Sequence, residues 1–551
     1  MMKKSLRSPA SILVVFALSF ILLGNAVTGT NLPLPPPAAI ESITPADLRH
    51  HAEFLASDEL GGRYTFSPSN AIVARYLASR LRHWGYRGGA ADGSFMQRFE
   101  MVAQQYNPEE TYIEIKGETG PVKFHVGEGV SFVGQHGDAD VTGELVLVPY
   151  SAIKAGGETQ SDLKGKIVIV PLSSSSSLET TASSEPLTEA AGLDRHQRRM
   201  VRDVVQSLRG RGAVGVVVIT PERKSHGTSS DERRGRTPAH GRLVFAEDVK
   251  LQPTYPVFHS WRASVVEALL KGTRLDAKTV FSSTLVSEVR SLERDGRLHV
   301  SLRGPKRTTQ NVIGILDGAD PKLKNEYVLF GAHMDHVHSD GHEIYNGADD
   351  NASGVAALLE IAQAFAQAPP PRRSIMIIFH TAEEEGLFGS QYFVRHPTVP
   401  LSSIVVNFNI DMIGRSRAPN DTNPANSELS DANTVFLIGS DRLSAQLHNL
   451  SEQTNQDTVK MNLDYRYNRE DHPQRLYYRS DHWNYAKNNI PVIFYFTGLH
   501  EDYHRPTDDV EKLDFEKMAR ITRLIFATGW RVAHLDERLK LNTQGEQRTT
   551  R

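Results

Sequence analysis

The 551-residue chain carries 62 basic and 65 acidic residues, so its net charge of −3 creates no overall field that would draw it to nucleic acid or an anionic membrane. It has no cysteine, which excludes disulfides, zinc–thiolate sites, thiol catalysis and a lipoprotein-type lipid anchor. The length calls for two or three domains around at least one large core.

The N-terminus places Lys3, Lys4 and Arg7 ahead of an apolar run from Ile12 to Leu23, followed by Gly24 and Ala26. This is the pattern of a secretory signal peptide over residues 1–26, and the run is shorter than the ~20 residues a membrane-spanning helix needs. The chain is therefore expected to be secreted or periplasmic, with no stable membrane anchor after cleavage. Pro33 and Pro35 to Pro37 suggest a stiff linker over 27–43. Helical periodicity over 46–56, the loop LGGRYTFSPSN, and a second helix ended by Gly85 form the opening part of a domain over 44–104.

From Thr111 the period changes to alternation, in TYIEIKG and VKFHVG, then GELVLVP, GKIVIVP and GAVGVVVIT, with a serine tract at Ser173 to Ser177. One helix, Gln197 to Arg209, and another through Val265 to Leu270 interrupt this strand-rich block, which carries no cluster of metal-ligand residue types. It reads as an insertion over 105–292 into a larger domain that resumes at 293 and runs to 535, leaving a polar tail over 536–551.

The resumed part alternates strand and helix, which predicts an α/β fold, a mixed, mainly parallel sheet with helices on its faces. Tyr327 to Ala332 ends at His333, Ser374 to His380 runs into Glu383, Ile404 to Ile410 ends at Asp411, and Pro491 to Phe496 leads to a loop carrying His504. Ligands of open α/β sheets bind outside the carboxyl ends of the strands, so these distant positions can converge on one cleft.

His333, Asp349, Glu384, Asp411 and His504 supply two imidazoles and three carboxylates, enough for two metals sharing one bridging carboxylate. Asp335 is placed to fix the His333 ring. Asp349 and Asp350 precede a helix whose apolar face includes Val355, Leu358, Leu359 and Ala362; an aspartate or Asn351 can cap that helix, but capping does not need two adjacent acids. Glu383, Glu384 and Glu385 follow a buried-type strand, where one ligand and one general base account for the acidic run most simply.

The segments GAHMDH, GADDNASG, AEEEGLFGS, FNIDMIG and DYHRPTDD, in this order, resemble the two-zinc metallo-aminopeptidase family, whose wider relatives include glutamate carboxypeptidase, glutaminyl cyclase and the transferrin receptor. The middle block is similar to the protease-associated domain often inserted in such enzymes. The resemblance implies two Zn(2+) ions, with His333 and Asp411 on one, Glu384 and His504 on the other, and Asp349 bridging. It also implies Asp335 as the acid behind His333, Glu383 as the general base acting on a dizinc-bound water, and a cis peptide between Asp349 and Asp350. His336, His338, His342, His380 and His500 match no ligand position, while Asp481 and His482 are candidates for lining the cleft.

The expected function is a zinc-dependent exopeptidase that removes N-terminal residues from peptide substrates. A carboxypeptidase-type relative would use the same site with basic residues in its pocket. A metal-free binding module like the transferrin receptor would lack ligands, and none of the five is missing.

Overall fold

The computed structural model describes residues 32–542 apart from 118–119, 128, 134–136, 155–162, 173–194, 222–241, 251–253, 282–288 and 339–342. The signal-peptide segment, the serine tract and His342 lie outside the described residues. Among those residues no helix is long and apolar enough to cross a membrane.

Two sheets organise the chain. The first has eleven strands, and its centre is four parallel neighbours in the spatial order Ser374–His380, Tyr327–His333, Ile404–Ile410 and Val492–Phe496. Every residue of these four strands is buried, because both faces are covered, and this explains their continuous rather than alternating hydrophobicity. Toward both edges the pairing turns antiparallel, through Lys306–Leu316 on one side and Thr434–Ile438 on the other.

Alternate residues of Tyr327–His333 point to opposite faces. Val328, Phe330 and Ala332 pack in the core with helices Gly354–Gln367 and Phe515–Ala533, whereas Tyr327 and Leu329 pack on the other side with Phe393 and Tyr485. The N-terminal helices join the first layer. Thr44 accepts the Asp47 N–H to cap Pro45–Leu55, and Ser67 accepts the Asn70 N–H to cap Pro68–His83; in both helices proline occupies the first turn.

The second sheet has eight strands and its own apolar clusters, running from Tyr112–Gly117 to Arg290–Val300 in sequence. Its limits differ from the expected 105–292. Strand Met96–Tyr106 belongs to the first sheet, and Arg290–Val300 stays in the second because it pairs with Tyr112–Gly117 and Ala139–Leu147. The short strand Arg242–Phe245, although inside the inserted sequence, pairs with Met96–Tyr106 in the first sheet, where Phe245 packs edge-on to Phe99.

Two terminal expectations also change. Part of the expected linker is helix Pro37–Glu41, with Ala39 and Ile43 buried in the main core. Proline's fixed φ and missing N–H suit a first helical turn, so the same residues that suggest a linker start a helix. The expected polar tail begins with Leu539 buried in that core and Asn542 hydrogen-bonded to the carbonyl of Asp441.

Candidate metal centre

The carboxyl ends of the four parallel strands bring His333, Glu383, Glu384, Asp411 and His504 to one edge, joined by the turn before helix Gly354–Gln367. Nε2 of His333 lies 3.2 Å from Oδ1 of Asp411 and 3.3 Å from Oδ1 of Asp350. Nε2 of His504 lies 3.1 Å from Oδ2 of Asp350 and 3.0 Å from Oε2 of Glu384. Each oxygen of Asp350 therefore faces a different group of ligand atoms.

Asp350, and not Asp349, occupies the bridging place. Asp349 points the other way: its Oδ1 accepts the Gly414 N–H at 2.6 Å, and its Oδ2 lies 3.2 Å from Nε2 of buried His500. The cause is the extended backbone at Asp350, with φ −106° and ψ 90°, where successive side chains diverge. Asp508 holds this conformation, because one of its oxygens accepts the N–H groups of both Asp349 and Asp350, at 3.0 and 3.1 Å. The cis peptide is likewise Asp350–Asn351 rather than Asp349–Asp350. Asn351 takes the capping role, accepting the N–H of Gly354 at 3.1 Å.

The surrounding groups orient these side chains. Nδ1 of His333 lies 3.2 Å from the carbonyl oxygen of Asp335, and the Asp335 carboxylate accepts the N–H groups of Glu383 and Glu384 at 3.2 and 3.4 Å. The Asp335 carboxylate thus positions the acidic run, while the histidine ring is backed by the main-chain carbonyl of Asp335 and stands 3.9 Å from the carboxylate. Burial pushes its carboxyl up to about 8. Ser480 donates its hydroxyl to Oδ2 of Asp411 at 2.7 Å. His336, fully buried, sets Nδ1 2.9 Å from Oε1 of Glu384, with its ring edge-on to that of His504 at 5.8 Å.

Glu383 and Glu384 both line the cleft beside this centre, with Asp350, Asp411 and Tyr503. Burial, reinforced by the negative charges of Asp411, Glu384 and Asp481, holds the Glu383 carboxyl well above the usual carboxylate range. Burial opposes charge on His504, yet hydrogen bonds to Asp350 and Glu384 outweigh it and lift the imidazole to about 10. Glu385 turns aside toward Tyr64.

Asp481 and His482 do not line the cleft. Asp481 is buried 3.4 Å from Nδ1 of His380, and His482 stacks on Phe494, with burial pushing its imidazole down to about 3. Their neighbours Arg479 and Ser480 face the cleft instead, with an apolar wall of Met412, Leu476, Phe494, Phe496 and Leu499. The sequence pattern marks neither Asp350 as a ligand nor Ser480, Arg479 and Tyr503 as cleft residues. The runs DD, RSDH and DYH contained the right neighbourhood but not the facing residue.

The donor set fits zinc, which takes imidazole nitrogen and carboxylate oxygen. Nε2 of His504 is the most telling atom. It lies 3.1 and 3.0 Å from oxygens of Asp350 and Glu384, as Nε2 of His333 lies 3.3 and 3.2 Å from oxygens of Asp350 and Asp411, so one nitrogen and two carboxylate oxygens converge at each of two places.

Residues 311–529 match the model of peptidase family M28. A probable leucine aminopeptidase 2 of Aspergillus oryzae is 38% identical over 117 residues, 21% of this chain and 22% of that protein. Aminopeptidase YwaD of Bacillus subtilis is 38% identical over 111 residues, 20% of this chain and 23% of its own length. The chain thus spans less than a quarter of the length of these two relatives. An aminopeptidase from Aneurinibacillus sp. strain AM-1 superposes over 92% of this chain and 97% of its own, at 17% identity and a TM-score of 0.46.

Proposed function

We propose that this protein is an exported, zinc-dependent exopeptidase that removes N-terminal residues from peptides. The observation that carries the reading is the position of Asp350, one oxygen facing His333 and Asp411 and the other facing His504 and Glu384. His333 and Asp411 would hold one zinc, Glu384 and His504 the other, and Asp350 both. Two such ions supply Lewis acidity toward the scissile carbonyl and lower the pKa of the attacking water.

The chain's own residues do the rest. Glu383, on the cleft wall, takes a proton from the attacking water and returns it to the leaving amine. Asp335 keeps Glu383 in place through its backbone N–H. The apolar wall of Met412, Leu476, Phe494, Phe496 and Leu499 beside the centre accepts a side chain. Export is supported by the basic start and apolar run of residues 3–23. The inserted eight-stranded domain, similar in its strand motifs to protease-associated domains, stands apart from this chemistry.

Arg479 supports a second reading, a carboxypeptidase-type enzyme, because it brings a cation to the cleft that could receive a C-terminal carboxylate. A metal-free binding module has no such support, since the ligand set is complete. Elemental analysis of the purified chain tests the metal centre: two zinc ions per chain are expected, and a chain that takes up none would remove the reading.

A further inference from the structure

Arg63 lies in the loop between the first two long helices, far in sequence from every candidate ligand, yet it is one of the largest fully buried side chains, at 1% exposure. Its guanidinium donates from Nε to the carbonyl of Met334 at 3.1 Å, from Nη1 to the carbonyls of Leu55 and Asn346, and from Nη2 to the carbonyl of Gly347 at 2.9 Å. Met334 stands between His333 and Asp335, and Gly347 stands three residues before Asp350. The main-chain carbonyl of Arg63 also accepts the N–H of His336. One residue thus joins the two loops that carry His333 and Asp350 and ties both to the end of helix Pro45–Leu55.

The local sequence is built to deliver it. Gly61 and Gly62 adopt φ of +61° and +83°, and a Cβ at Gly62 would meet the Tyr345 carbonyl oxygen at 3.1 Å, so the chain can turn here against the second loop. The buried guanidinium spends its hydrogen bonds on carbonyls, not on the acidic groups around it. Asp350, Asp508, Asp335 and Glu384 are close enough to favour its charge, and burial lowers its pKa to about 10, which leaves it cationic at neutral pH. Placing a permanent cation beside a centre for divalent cations is electrostatically adverse to metal binding. Its fixed, multi-directional donor set is the property that a lysine or an apolar side chain lacks.

We propose that Arg63 is a positioning residue, which clamps the His333 and Asp350 loops in the spacing that two metals need. The metal-binding consequence rests on the proposed function, whereas the clamp itself does not. Charge and positioning predict opposite signs. If Arg63 acted through its charge alone, Arg63→Met would tighten zinc binding and Arg63→Lys would leave it unchanged. If it positions, both substitutions weaken zinc binding by about the 10–100-fold typical for groups that support metal ligands.

The test uses the full chain, with zinc affinity read by chelator competition and amide hydrogen exchange read on the metal-free protein. Arg373 is the control, being equally buried and bonded to the carbonyls of Val532 and Leu535, but at the opposite end of strand Ser374–His380. Arg63→Met and Arg63→Lys are expected to speed exchange in 333–336 and 346–351 and to weaken zinc, with added methylguanidinium recovering part of the affinity in Arg63→Ala. Arg373→Met should lower global stability without either effect. Should Arg63→Met not fold, Arg63→Lys decides by the same two readings. Tighter or unchanged zinc binding in a folded Arg63 variant would overturn the proposal, as would wild-type exchange in both loops. A wild-type chain that binds no zinc would remove the proposed function, and the exchange result would still decide the clamp.

Discussion

Asp349 and Asp350 are adjacent in sequence and face opposite sides of their backbone. Asp349 accepts the Gly414 N–H at 2.6 Å in the interior, while Oδ2 of Asp350 stands 3.1 Å from Nε2 of His504 at the cleft. One residue of register therefore separates a structural acid from the acid shared by both groups of ligands.

Replacing the two aspartates separates these roles. Asp350→Ala is expected to lower zinc occupancy at both positions, because each loses an oxygen ligand. Asp349→Ala is expected to retain two zinc ions but lose about 1.5–3 kcal/mol of stability, the range for a hydrogen bond to a charged group. Elemental analysis and urea unfolding read the two outcomes, and loss of both metals in Asp349→Ala alone would restore the original register.

His504→Ala and Asp411→Ala each touch one group only. Each variant is expected to keep close to one tightly held zinc per chain, with the other position weakened. Loss of both ions in either variant would contradict the assignment of Asp350 as the common ligand.

Glu383→Gln preserves size but cannot take a proton. The turnover number should fall by at least about 10²–10⁴-fold with both metals retained and KM little changed. Glu385→Gln should keep near-normal turnover, since Glu385 faces Tyr64 and is not among the residues that line the cleft. Steady-state kinetics on the two variants, with zinc content measured on the same samples, checks both statements.

Lys517 provides a pH test away from the cleft. Its ammonium is buried, hydrogen-bonded to the carbonyl of Arg415 and the hydroxyl of Ser430, and burial lowers its pKa to about 8. Below pH 8 both folded and unfolded chains hold the proton. Between that value and the ordinary lysine value of 10.5, the unfolded chain holds more protons, so this group makes stability rise with pH. The rise should total about 3 kcal/mol and be absent from Lys517→Met, as read by unfolding of metal-free protein from pH 7.5 to 10.5. Parallel pH profiles for the two chains would show that Lys517 is not the source.

The strand ends were legible in the sequence because His333, Glu384 and Asp411 directly follow buried hydrophobic runs, and runs of that kind specify parallel central strands. The choice between Asp349 and Asp350 was not legible. It depends on Asp508, whose carboxylate collects two N–H groups from a segment 158–159 residues away. Arg63 was hidden for the same reason, with carbonyl partners 271–284 residues along the chain in both ligand loops. Arg242–Phe245 is only four residues long, too short to carry a period that assigns it to one sheet or the other. Pro37 looked like a linker residue because sequence alone does not reveal that Ala39 and Ile43, on either side of the short helix end, have a core to enter.

The central claim is that the Asp350-centred site removes residues from free N-termini with bound zinc. The most direct measurement compares hydrolysis of a peptide with that of its N-acetylated twin, before chelation, after chelation and after zinc is restored. The account predicts release of the N-terminal residue from the free peptide only, loss of that activity on chelation, and recovery with zinc. Equal cleavage of the blocked peptide, release from the C-terminus, or activity that survives complete metal removal would contradict it.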